Sequence, residues 1–342
     1  MSDNNEVLLT IAIPTFNRCE YLDQLLNELM NQLHDIQYSI EIVVSDNASV
    51  DATEMVVNNY LNKSSNIKII YYKNKENVGA DKNIELLIAR SSGRYLWLLC
   101  DDDLPSPNAI SKIYNLILDK KQLNIALFFI NRSIQNLTMT EVFMKREHDI
   151  DHDILFDNGK NLFDKFKNSI LTASCLILKR DSCLGVKTKK FLTGFYCSPM
   201  VLALEALLHG QGYFISSPLV IYREGDKSSW SHLWKTIYFY NIPFIINNLT
   251  CLGYSKNTFN EIIQRNINDF MFTDFIYSWK LSDNPEIIDC INWFGLITLY
   301  KNVLVKKPKI VLLIFLPSFI LRTKSKLGFI KRKISQQLGS SG

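Results

Sequence analysis

The sequence has few of the residues that build metal or disulfide scaffolds. Its seven cysteines (Cys19, Cys100, Cys175, Cys183, Cys197, Cys251, Cys290) are scattered, odd in number and form no Cys-X-X-Cys pair. That argues against a disulfide framework and a structural zinc site, and it suits a reducing compartment. Of five histidines, only His148 and His152 lie at i,i+4. With Asp149, Asp151 and Asp153 around them and no third ligand, a solvated loop is expected there rather than zinc. Residues 1–6 have no basic stretch followed by an apolar core and cleavage site, so no signal peptide is expected. No internal repeat or low-complexity linker is visible.

Acidic residues vanish after Asp289, while ten of the 38 cations lie beyond it (Lys301, Lys306, Lys307, Lys309, Arg322, Lys324, Lys326, Lys331, Arg332, Lys333). The rest holds 28 cations against all 34 acids. A mildly acidic body with a basic tail points to an anionic surface, not to a nucleic-acid-coating protein. What is abundant is apolar: 47% of 342 residues are hydrophobic and 12% aromatic, enough for a large core, and disorder over most of the length is excluded.

Residues 7–14 (VLLTIAIP) are an almost unbroken apolar run, the pattern of a strand buried on both faces. A helix follows at 21–33, with Leu22, Leu25, Leu26, Leu29 and Leu33 at helical spacing. Strands at 40–44, 67–72 and 95–100 then alternate with helices at 51–61 and 80–89, Asp51 serving as an N-cap. This alternation predicts right-handed βαβ crossovers and a mainly parallel sheet with helices on both faces. Further strands are expected at 125–130, 175–178 and 213–223, a helix at 199–209, and an aromatic-rich helical region from 230 to 300.

Ligands of such sheets sit at the carboxyl ends of the strands. Thr15 and Asn17, Asp46 and Asn47, and Asp101, Asp102 and Asp103 all fall there. Adjacent carboxylates repel and are costly to bury, and a Mg²⁺ or Mn²⁺ ion bridging them to substrate phosphates relieves both problems. The alternative is an acidic turn or a cap for the helix from Pro107. Asp46 would accept from a base or ribose, or close an Asx-turn. Thr15 and Asn17 would touch a nucleotide or cap a helix, and Arg18 would meet phosphate or a surface carboxylate.

The segments AIPTFNR, IEIVVSDNASVDAT, NVGADKN and SSGRYLWLLCDDD resemble the family 2 glycosyltransferases of the GT-A fold, closely over residues 7–115 and loosely to 230. The resemblance implies an α/β GT-A domain, Rossmann-like, and a nucleotide-sugar donor. By it, Pro14, Thr15, Asn17 and Arg18 lie beside the nucleotide and Asp46 reads the base. Asn77 and Gly79 form a turn near the nucleotide, with Lys82 just beyond. Asp101, Asp102 and Asp103 hold metal and diphosphate, with Asp101 and Asp103 as metal ligands and Asp103 acting in catalysis. YREGDKSSW is similar to bacterial O-antigen abequosyltransferases, which implies a CDP-3,6-dideoxyhexose donor and a polyprenyl-diphosphate-linked oligosaccharide acceptor. Many inverting members carry an acid pair where this chain reads Tyr196-Cys197-Ser198-Pro199. Glu205 is the nearest candidate base, facing the cleft, the solvent or a cation, with Glu224 and Asp226 as rivals. His232, near Trp230 and Trp234, would stack on sugar or pack in the core.

Three regions are expected: a transferase domain at 1–230, a helical region at 231–300 and a basic tail at 301–342. In the tail, IVLLIFLPSFIL (310–321) is too short to span a bilayer, which needs about 20 residues, and its basic flanks suit an interfacial segment. A packed core helix is the other reading. The expected location is peripheral, on the cytoplasmic face of the inner membrane. Two competitors stand against a transferase. A nucleotidyltransferase would want a Gly-rich basic loop where this chain has PTFNR, and an inactive sugar-binding or assembly protein would not need the intact acid triplet.

Overall fold

Strand β1 (Leu9–Thr15) is buried almost throughout, as its apolar run demands. In the computed structural model, which describes residues 6–34, 39–63, 67–183, 194–225, 233–282 and 292–316, β1 lies in the middle of one large sheet. Helix α1 (Cys19–Leu33) presents its expected leucines inward and leads to β2 (Ile40–Asp46), parallel to β1. Helix α2 (Thr53–Lys63) leads to β3 (Lys68–Lys73), parallel to β2. Helix α3 (Ala80–Arg90) then returns the chain to β4 (Tyr95–Leu98), on the other side of β1 and again parallel. The turn before β4 needs glycine, because a Cβ on Gly93 would come within 2.6 Å of both the backbone nitrogen and the hydroxyl of Thr10.

The remaining elements of this region are β5 (Leu104–Pro105), α4 (Ala109–Asp119), β6 (Ile125–Gln135), β7 (Val142–Met144), β8 (Ile154–Phe156), α5 (Lys160–Phe166), β9 (Leu176–Lys179), α6 (Arg180–Cys183), α7 (Ser198–Leu207) and β10 (Gln211–Arg223). The sheet order is β3-β2-β1-β4-β9-β6-β10-β5, with β7 on β6 and β8 on β10. The pairings among β1 to β4 and of β6 with β10 are parallel, whereas β9 is antiparallel to both of its neighbours. The sheet is thus mainly parallel, as the alternation predicted. The direction of the antiparallel β9 escaped the sequence because a four-residue, largely apolar strand carries no direction.

Backbone contacts divide the chain into residues 1–228 and 229–342. The second unit comprises α8 (Trp234–Thr236), a π-helical turn (Ile237–Asn241), α9 (Ile242–Leu249), α10 (Lys256–Asn268), α11 (Phe270–Leu281), α12 (Trp293–Leu304) and α13 (Pro308–Phe315). Ser255, Asp269 and Asn292 cap α10, α11 and α12 through their side chains. A π turn shifts the carbonyl pairing of a helix. Here the Tyr300 hydroxyl donates to the Phe239 carbonyl at 2.7 Å, and the Asn266 amide to the Tyr238 carbonyl at 3.2 Å. Phe239, Phe272, Phe275, Leu296, Leu299, Tyr300, Leu313 and Ile314 share one core. Residue 300 falls inside α12, and Leu304, Leu313 and Ile314, beyond it, are part of that core. Tail residues beyond 316, Arg322 onward included, lie outside the described residues.

Candidate active site at the carboxyl edge of the sheet

From β1 the chain steps outward through β2 to β3, then returns to β4 on the opposite side of β1. Where strand order reverses in this way, the loops leaving adjacent strands diverge and open a crevice at their carboxyl ends. The loops after β1, β2 and β4 meet there. Asn17, at a left-handed φ of 52°, accepts from the Val50 N–H at 2.8 Å while its own N–H donates to Ser49 Oγ at 2.8 Å. The Asp46 carboxylate accepts from the Ser49 N–H at 2.8 Å and from the Tyr71 hydroxyl at 2.6 Å. Asp46 therefore closes the Asx-turn weighed above, and its oxygens are already engaged.

Asn47 carries the network to the next loop. Its Oδ1 accepts from the Val78 N–H at 2.9 Å, and its Nδ2 donates to Asn77 Oδ1 at 2.7 Å. Asn77 Oδ1 also accepts from the Gly79 N–H at 2.9 Å, fixing Gly79 at φ 83°, a left-handed conformation suited to glycine. Lys82, one turn on, forms an exposed i,i+3 pair with Glu85 at 2.7 Å. Pro14 lies within β1 opposite Ser45, and the Thr15 hydroxyl is buried without a hydrogen bond of normal geometry.

The acids follow β4 directly. Asp101 and Asp103 are almost wholly buried. Burial first, and the Asp102 charge second, push each carboxyl up to about 7. Arg18 bridges Asp101 at 3.0 Å and Asp102 at 2.7 Å, so of the two partners expected for it, this structure shows carboxylate. Asp103 accepts from the Ser174 hydroxyl at 2.6 Å and the Arg223 N–H at 3.0 Å. The Arg223 guanidinium donates to the Asp102 carbonyl and to Gln24 Oε1, both at 2.8 Å, and lies over the Tyr21 ring.

Ligand atoms of Cys100, Asp102 and Asp103 lie within 4.8 Å of one another, the only such cluster among the described residues. Burial holds the Cys100 thiol well above its ordinary range. A protonated thiol is a poor partner for a hard cation, whereas carboxylate oxygens are what Mg²⁺ and Mn²⁺ select. The donor set thus fits such an ion through Asp102 and Asp103. Asp101, expected at one end of the metal pair, is outside this cluster and is held by Arg18.

Of the three surroundings expected for Glu205, the structure shows a basic partner. Helix α7 starts at the carboxyl edge, where the Ser198 N–H donates to Asp81 at 3.2 Å. It runs toward the amino edge, and Glu205 is buried there against His209 at 2.9 Å. The His209 carbonyl accepts from Asn124, the residue before β6 begins. The structure does not bring Glu205 together with the acids. Glu224 is exposed immediately after Arg223, whose N–H binds Asp103. Asp226, Trp230 and His232 lie outside the described residues. His148 stacks among Phe129, Phe166 and Phe214 rather than in a solvated loop, and His152 pairs with Asp151.

Sequence reasoning assigned no role to Arg223, Ser174 or Asp81. Arg223 ends a strand at this edge, which was a usable signal. Asp81 sits in the quoted NVGADKN segment and accepts from the Phe195, Tyr196 and Ser198 N–H groups. Nothing local marked Ser174, 71 residues beyond Asp103.

Residues 10–184 match the family profile of glycosyl transferase family 2. The chain belongs to that family and is a glycosyltransferase. It is 28% identical over 244 residues to the abequosyltransferase RfbV of Salmonella typhimurium, spanning 67% of this chain and 70% of that one. It is also 28% identical over 121 residues to the minor teichoic acid biosynthesis protein GgaA of Bacillus subtilis, spanning 35% of this chain and 27% of GgaA. Among solved structures, S. aureus TarS 1–349 in complex with UDP-GlcNAc superposes with a TM-score of 0.61 at 15% identity, covering 86% of this chain and 82% of that fragment. GalNAc-T7 with UDP, GalNAc and Mn²⁺ gives 0.50 at 14% identity, covering 72% of this chain and 48% of that one. At such identities the likeness concerns the fold, which is GT-A.

Proposed function

We propose that this glycosyltransferase moves a sugar from a CDP-3,6-dideoxyhexose, CDP-abequose first among them, to a polyprenyl-diphosphate-linked oligosaccharide in surface polysaccharide assembly. The observation that supports the reading is the pair of Asp102 and Asp103, just after β4, whose ligand atoms lie with that of Cys100 within 4.8 Å of one another. The donor preference rests on the similarity to the Salmonella abequosyltransferase. The acceptor fits a peripheral location on the cytoplasmic face of the inner membrane. No helix among the described residues is long and apolar enough to cross a membrane.

In this reading the acceptor oxygen bonds to the anomeric carbon as the bond to the diphosphate breaks, and the nucleoside diphosphate leaves with the electron pair. Asp102 and Asp103 would hold a divalent cation, whose charge would neutralise that leaving group. Thr15, Asn17 and the Asn77–Gly79 turn position the nucleotide, and Asp46 shapes the base pocket by holding its loop. Arg18 and Lys82 offer cations to the phosphates. Glu224 takes the acceptor proton, being the exposed carboxylate next in chain to the Asp103-bound Arg223.

The test is turnover of CDP-, UDP-, GDP- and dTDP-sugars with lipid-linked acceptor, with and without Mn²⁺ or Mg²⁺. Metal-dependent release of CDP is the expected result. Release of another nucleotide would replace the donor, and no turnover with any donor would sink the reading.

A further inference from the structure

Helix α12 turns Leu296, Leu299, Tyr300 and Leu304 to the core of the second unit. Its other side carries Phe294 and, just past its end, the cap residue Val305, eleven positions apart in sequence and hence about three helical turns apart on one side. They are 79% and 82% exposed. Helix α13 repeats the arrangement. Leu313 and Ile314 are buried in the same core, while Leu312 and Phe315 are 63% and 68% exposed. Lys280 fixes that orientation, its ammonium donating to the carbonyls of Leu313, Ile314 and Leu316. Those are end-of-helix carbonyls with no partner further along α13.

Four bulky apolar side chains are held out to solvent on these two consecutive segments, and a patch they formed together would be a contact surface. Its surroundings name the partner. Lys301 and Lys309 are exposed on the same two helices, and every charged residue after Asp289 is a cation. A second copy would bring an equal positive charge to the same face. An anionic lipid surface accepts both features, the cations at the headgroups and the apolar side chains at the acyl boundary. We infer that the exposed sides of α12 and α13 are a monotopic docking face for an anionic bilayer, with Phe294, Val305, Leu312 and Phe315 as its inserted residues. This rests on the peripheral-membrane reading above and moves the contact from the basic tail alone to the folded second unit.

The experiment is co-sedimentation of the full chain with vesicles of phosphatidylcholine, alone or mixed with phosphatidylglycerol, at low and high salt. The unaltered protein binds the mixed vesicles and is partly released by salt. The combined variant Phe294→Ser, Val305→Ser, Leu312→Ser and Phe315→Ser loses roughly tenfold or more of that binding, while its Tm and its nucleotide binding stay unchanged. A second variant replaces Arg322, Lys324, Lys326, Lys331, Arg332 and Lys333 with Gln. If that variant loses binding while the serine variant binds like the unaltered protein, the membrane reading stands and the docking face is overturned. If the unaltered chain ignores both vesicle types, both fall. A dimer in solution that the serine variant dissociates, without vesicle binding, would assign the face to a second copy and also overturn the inference.

Discussion

At the amino edge of the sheet Glu41 is completely buried, yet it accepts from the Thr10 hydroxyl at 2.8 Å, the Ser92 N–H at 2.6 Å and the Lys68 ammonium at 2.7 Å. Burial would raise its pKa, but the bonds from Lys68, Ser92 and Thr10 outweigh burial and hold it below the ordinary range. At the carboxyl edge Asp101 and Asp103 are nearly as buried, and burial wins, leaving both at about 7. The same residue chemistry is thus satisfied at one edge and left short of positive charge at the other. A buried carboxylate left short of positive charge is what a site for a cationic ligand would present.

Replacing acids at each edge sharpens the contrast. The largest effect is expected from Asp103→Asn, a loss of about 10³-fold in kcat with Tm unchanged or slightly raised, since a poorly compensated buried charge is removed. Paired transfer assays and thermal melts check this, and a melt that collapses along with activity would make Asp103 structural. Glu224→Gln should lower kcat by about 10²-fold with little change in donor KM, and near-normal turnover would remove it as the base. Glu41→Gln should reverse the pattern. It costs about 1–3 kcal/mol of stability while kcat stays near normal. The sign with pH follows from the lowered pKa. Glu41 stabilises the fold above its unfolded value of about 4.3, and that contribution fades as pH falls through the lower folded value. Urea titrations at neutral and acid pH should show the gap between parent and variant closing on the acid side. Glu205→Gln is the smallest change, with turnover altered by about twofold or less because the residue faces His209, beyond hydrogen-bond reach of the acids. A tenfold loss there would reinstate it.

Part of this was readable from local pattern. VLLTIAIP, IEIVV and YLWLLC are too continuously apolar to be anything but doubly buried strands, and their alternation with amphipathic helices left only a mainly parallel sheet. Polar residues at the strand ends marked the site edge for the same reason. The direction of β9 was not readable, nor was the run of α12 through residue 300, because an apolar helix in an aromatic core and an apolar interfacial tail have the same composition. The surroundings of Glu205 stayed open for want of a direction. Its position in MVLALEALLHG says helix, but which end of the sheet that helix carries it to depends on where Asp81 anchors the start.

The sequence by itself determined the fold class, the family and the edge of the sheet where the polar strand ends gather, because hydrophobic periodicity and strand-end polarity are local properties of the chain. Only the tertiary structure decided that Asp102 and Asp103 bring ligand atoms together with Cys100, that Arg18 holds Asp101, and that Ser174 and Arg223 hold Asp103. Those partners lie 71 to 120 residues away along the chain in the case of Asp103, and only packing brings such distant groups within hydrogen-bond reach.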